Sequence, residues 1–196
     1  KTLTFQMHQI EPHYLWRHVY KASNDPNSPF YQTQHSQFEF TNKIYNYLVH
    51  PQWDYFGSET LLLKVLFVDY DVKYAVIEMI GEWNDTIHND IAILKREVID
   101  EMIDLGIEKF IILGENILNF HPSDDAYYQE WWEDTPGGWV AFLHCRDHIL
   151  QEMESVGIGN FIRLEEEDEN TWNWKTKKPE HLFEIVDEMM MKTLEM

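Results

Sequence analysis

Apolar positions along this chain change period several times, and each change marks an element. The run LLLKVLFV (Leu61–Val68) is apolar except at Lys64, and YAVIEMIGEW (Tyr74–Trp83) follows the polar turn DYDVK. Two such runs joined by a short turn predict a β-hairpin. Their near-continuous apolarity predicts strands covered on both faces. Ile91, Leu94, Val98, Met102 and Leu105 then recur at steps of three and four. Lys95, Arg96, Glu97, Asp100, Glu101 and Asp104 fill much of the remainder, which predicts an amphipathic helix stopped at Gly106. KFIILGEN (Lys109–Asn116) reads as a short buried strand, so the strand–helix–strand rhythm predicts a parallel crossover. A second helix is expected over HPSDDAYYQEWW, with Ser123 as N-cap and Asp124 and Asp125 near its positive end. The turn DTPGG, the strand WVAFLHC, the helix RDHILQEMESVG and the strand NFIRL complete the pattern.

The flanks read differently. Residues 1–56 hold Pro12, Pro26, Pro29 and Pro51 among many Asn, Gln, His and aromatic residues. They predict an arm packed on the core or on a partner. Within it, Phe38, Phe40, Ile44, Tyr45 and Leu48 predict a short strand followed by a helix. After the central α/β domain, residues 57–164, the block EEEDEN begins an acidic linker. Residues 165–196 end in an amphipathic helix from Leu182 to Leu194 that carries Met189, Met190 and Met191. Three consecutive methionines cannot all face one way, which predicts burial on two sides or contact with another chain, a homodimer included.

Composition narrows the class. Of 196 residues, 44% are hydrophobic and 15% aromatic, ample for a packed core. No run approaches the roughly 20 apolar residues of a membrane span. Cys145 is the single cysteine, so no internal disulfide scaffold forms. The first residues, KTLTFQMHQIEPH, contain no signal-type apolar run, and a cytoplasmic location is expected. The formal charge of −20 repels nucleic acids and anionic membranes, so neither is expected as a partner.

From Leu61 the order is hairpin, helix, strand, helix, strand, helix, strand. This order resembles the STAS domain, the fold of anti-sigma-factor antagonists and of the cytoplasmic ends of sulphate transporters. IGEWND (Ile80–Asp85), KFIILGENILNF (Lys109–Phe120) and WVAFLHCRDHILQEMESVGIGNFI (Trp139–Ile162) carry the resemblance. It implies a mixed sheet with crossover helices and a regulatory, protein-binding role. The family's phosphorylated serine has Ser123 as its nearest counterpart, although Asp-Ser-Ser-Gly is replaced by Pro122-Ser123-Asp124-Asp125. Adjacent aspartates disfavour a phosphate there, while a helix N-terminus favours one.

Three groups of side chains are candidates for chemistry. Glu82, Asp85, His88 and Asp90 follow one strand, and Glu115, His121 and Asp124 follow another. Carboxylates and imidazoles at strand ends suit a divalent metal or acid–base work. The same residue types also cap helices and build turns. No HExxH, GxSxG, P-loop or dinucleotide fingerprint is present. The third group is aromatic: Tyr127 and Trp131 lie four apart, as do Tyr128 and Trp132, with Trp139 beyond. Burying both pairs needs a second surface, either the arm or a partner. The expected function is therefore a non-enzymatic interaction module using Ser123 and these aromatics, without a cofactor. The alternative is a small-molecule enzyme or metal-binding protein using loops 82–90 and 115–125.

Overall fold

The computed structural model describes residues 8–36, 38–40, 43–44, 47–165 and 173–194. The domain is α/β, as the pattern predicts. Its sheet runs β4 (Leu61–Asp69), β5 (Tyr74–Asn84), β6 (Lys109–His121), β7 (Trp139–Leu143) and β8 (Arg163–Leu164), in that spatial order. β4 and β5 are antiparallel, and each later strand is parallel to its predecessor. The connections carry α1 (Asp90–Leu94) to α2 (Asp100–Asp104), then α3 (Ala126–Glu133), then α4 (Asp147–Ser155).

Because the strands follow in order, right-handed crossovers place every connecting helix on one face. Parallel strands need cover on both faces. On the helical side lie Ile77, Met79, Phe110, Ile112, Val140 and Phe142 with Leu94, Val98 and Met153. On the other lie Tyr74, Val76, Ile111, Leu113 and Trp139 under Trp16, Trp174, Leu182, Phe183 and Val186. The second cover is thus the N-terminal arm and α5 (Pro179–Leu194). Phe183 stacks on Tyr74 at 4.1 Å, and Trp16 Nε1 donates to the Lys177 carbonyl at 2.8 Å.

Several expectations are corrected. The arm's described residues form β1 (His8–Ile10), two 3-10 turns (Leu15–His18 and Ala22–Asn24), β2 (Lys43–Ile44) and β3 (Tyr47–Val49), so the segment near Ile44 and Leu48 is two short strands and not a strand and a helix. β3 pairs with β1, from His8↔Tyr47 to Ile10↔Val49, a long-range pairing invisible to local periodicity. Tyr45 and the acidic residues 166–170 lie outside the described residues. The helix after β5 contains a π turn, Lys95–Ile99, between α1 and α2. The extra residue per turn shifts the helical phase and turns Lys95 inward. Its Nζ is buried against Asp100 and Asp134 instead of lying on a solvated face. β6 extends to His121, so residues expected in a loop are strand. No helix among the described residues is long and apolar enough to cross a membrane.

Gly81 permits the extension of β5. Its φ is +126°, and the register shifts there between β5 and β6. A Cβ would lie 2.1 Å from the Thr60 carbonyl oxygen. Gly81→Ala should therefore destabilise the fold by about 2 kcal/mol, read as a lower urea midpoint at unchanged m-value.

Candidate functional site

The two strand ends do converge. Asp85 N–H donates to the His121 carbonyl at 3.0 Å, and Thr86 Oγ1 donates to the Pro122 carbonyl at 2.7 Å. Three of their carboxylates, Asp85, Asp90 and Asp124, however, accept backbone N–H groups. Asp85 is buried and accepts from Trp83 Nε1 (2.9 Å), Ile91 N (2.9 Å) and Tyr128 Oη (2.7 Å). It therefore caps α1 from outside the helix. Burial pushes its carboxyl up to about 6. Asp90, fully buried, accepts from Asn84 N at 2.7 Å. Asp124 accepts from Ala126 N at 3.1 Å, so it, and not Ser123, supplies the turn before α3. Ser123 is exposed two residues ahead of the N-cap Asp125.

His121 Nε2 donates to Glu82 Oε1 at 2.8 Å, a half-exposed pair. His88 is partly buried beside the same turn. Glu115 points elsewhere and pairs with Lys175. Among the described residues no group of three or more His, Cys, Asp or Glu is placed to hold a metal ion. Cys145 is buried, and burial pushes its thiol up to about 12, which leaves it protonated.

The aromatic surface is mostly core. Tyr128 and Trp131, three apart, are fully buried, while Tyr127 and Trp132 lie outside them. The i,i+3 pair faces the sheet, so the helix needs no second apolar partner. Trp131 meets Phe110 edge-on at 5.3 Å, and Tyr128 lies over Trp83 at 6.3 Å. Trp139 is covered by α5, its Nε1 donating to Asp187 Oδ1 at 3.0 Å. Of the expected partner-binding residues, Tyr128, Trp131 and Trp139 belong to the interior. Trp132, half-exposed against Phe161, and Ser123 remain at the surface.

The arm-covered face holds the polar chemistry. Glu78, in the middle of β5, is 1% exposed. It accepts from His13 N at 2.8 Å and from Asn116 Nδ2 at 3.2 Å. Burial raises its carboxyl to about 7, and Glu115 nearby adds to the rise. Burial, with Lys175 nearby, lowers the His13 imidazole to about 4, so it is neutral at neutral pH. Lys64, on β4, pairs with buried Asp54 at 3.0 Å, and Asp54 also meets His35 at 2.6 Å. Two openings flank this layer. One is a cavity of about 290 Å³ between the arm and β4. The other is a groove of about 300 Å³ lined by Leu15, Trp16, Val19, Lys175, Lys177 and Lys178. Sequence reasoning missed Glu78 and His13. The available signal was Glu78, a carboxylate in the middle of the apolar run YAVIEMIGEW, matched by Lys64 in the neighbouring run.

No protein-family model matches the chain, and no curated protein matches it.

Proposed function

We propose that this chain is a non-enzymatic, cytoplasmic regulatory module that binds an acidic, amphipathic segment of a protein partner. The carrying observation is the groove where the arm meets the start of α5. Leu15 and Val19 stand half-exposed on one side of it. Lys175, Lys177 and Lys178 stand on the other beside Glu180, with Lys175 paired to Glu115, a local excess of positive charge in a chain of net charge −20. Exposed apolar side chains beside an excess of one sign of charge suit a segment of the opposite sign. Trp16 forms the buried floor and holds the two sides together through Lys177. The STAS-like order of elements from Leu61 supports a regulatory reading. The consumption of Asp85, Asp90 and Asp124 as backbone acceptors favours this over the enzymatic alternative.

The test is a panel of fluorescein-labelled peptides that alternate Glu with Leu or Phe, each beside its Gln-for-Glu counterpart. Saturable anisotropy changes are expected for the acidic members alone. Lys177→Glu with Lys178→Glu should weaken them about tenfold or more. Equal binding of acidic and neutral peptides, an unaffected double variant, or self-association through this groove would overturn the reading.

A further inference from the structure

The cavity between the arm and β4 differs from the rest of the molecule in charge. Its lining includes Arg17, Lys21 and Lys64 together with His13 and His35, and no aspartate or glutamate. The whole chain holds 35 acidic residues against 15 lysines and arginines. A wall free of carboxylates is therefore a local reversal of the overall balance. Two of the three cations are partly neutralised behind the wall: Lys64 by Asp54 at 3.0 Å, and Arg17 by Glu11 at 3.6 Å. Lys21 leaves the wall a positive excess.

A second observation points the same way. His13 is 8% exposed, and its Nε2 is buried without a hydrogen-bond partner among the described residues. Buried polar atoms are ordinarily satisfied, and each exception calls for a partner. This one belongs to a residue that lines the cavity, held in place by Trp16 edge-on at 5.0 Å and by its own N–H on Glu78. The atom is closed to solvent between Trp16 and Trp174, so an imidazole N–H there donates to an anionic oxygen, without a charge of its own, once the ring turns toward the cavity. Ser23, Asn24, Thr33 and Gln52 add neutral polar groups, and Trp16 and Tyr20 add aromatic walls. A volume near 290 Å³ lies at the lower end of small-molecule sites. The negative field of the whole chain does not forbid an anion here. Surface charges beyond about 8 Å are screened at physiological salt, and the wall charges are nearer.

We propose that this cavity binds a small organic anion, its carboxylate or phosphate oxygens meeting Arg17, Lys21, Lys64 and His13 and its neutral polar groups meeting the amides and hydroxyls. The site shares the Trp16 wall with the partner groove but none of its lysines, and it stands or falls without it.

Calorimetric titration of the full chain tests this with citrate, inorganic phosphate, glycerol 3-phosphate and neutral glycerol. Saturable binding of citrate alone assigns a carboxylate ligand, and of the two phosphates alone a phosphate ligand. In either case glycerol should not bind, and the His13 imidazole ¹⁵N resonances should shift with occupancy. Arg17→Gln should weaken binding about tenfold. The exposed Lys21→Gln, which keeps the fold, should weaken it about threefold. Binding by none of the anions, glycerol binding as well as they do, or an affinity unchanged in Lys21→Gln with His13 silent would overturn the proposal.

Discussion

Replacing Asp85 by alanine should cost about 4 kcal/mol of folding stability, measured by urea denaturation, whereas Asp85→Asn should stay within about 1 kcal/mol of the wild type. Alanine leaves three buried donors without their acceptor: Trp83 Nε1, Ile91 N and Tyr128 Oη. Each costs about 1–3 kcal/mol when unsatisfied. Removing the carboxylate also relieves the net penalty on its charge, about 3 kcal/mol for a rise from 3.8 to about 6 with those hydrogen bonds in place. The sum leaves a net loss of a few kcal/mol, a large part of the ~5–15 kcal/mol available to a domain. Asparagine keeps one acceptor for Trp83 and Ile91, and the Tyr128 hydroxyl can accept from its amide. A severe alanine variant beside a mild asparagine variant marks Asp85 as a structural cap. An acid–base or metal-ligand role predicts that the asparagine variant keeps stability but loses a bound metal or an activity.

The second large effect is on pH dependence. Glu78 titrates near 7 in the folded chain against 4.5 in an unfolded one, because burial disfavours its charge. Between those values the folded state holds the proton and the unfolded state does not. Stability therefore falls as pH rises through that window, and the full loss is present above about 7. A displacement of this size corresponds to about 3 kcal/mol. Glu78→Gln should accordingly stabilise the chain by about 2–3 kcal/mol at pH 8 and change little at pH 4.5, provided Asn116 turns its carbonyl toward the new amide. Asp85 adds to the same slope at lower pH, between about 4 and 6. A melting temperature that rises from pH 8 to pH 6 in the wild type, and less in Glu78→Gln, is the expected record. A wild-type profile matched by the variant would show that Glu78 is not the group responsible.

The sheet was legible because its apolar runs are long and its helices periodic. β4, β5 and β7 lie where the runs LLLKVLFV, YAVIEMIGEW and WVAFLHC place them. The phase of the first helix was not legible, because the π turn at Lys95–Ile99 leaves no mark in a pattern of threes and fours. The aromatic helix misled for a related reason. A step of four suggested Tyr127 with Trp131, but the sheet selects Tyr128 with Trp131, and Trp139 disappears under α5. The acidic loops carried both readings in the sequence, and only their hydrogen bonds separate caps from ligands. The groove was hidden because Leu15 and Val19 lie about 160 residues from Lys177 and Lys178, and it forms only once Trp16 reaches the Lys177 carbonyl.

The claim that this groove takes an acidic partner is tested most directly by amide chemical-shift mapping of the full chain against the tightest acidic peptide of the panel. The account predicts saturable shifts centred on Leu15 to Val19 and Lys175 to Lys178, absent with the Gln-for-Glu peptide. Shifts centred on Trp132 or on the Glu82–His121 pair, or none at saturating peptide, would contradict it.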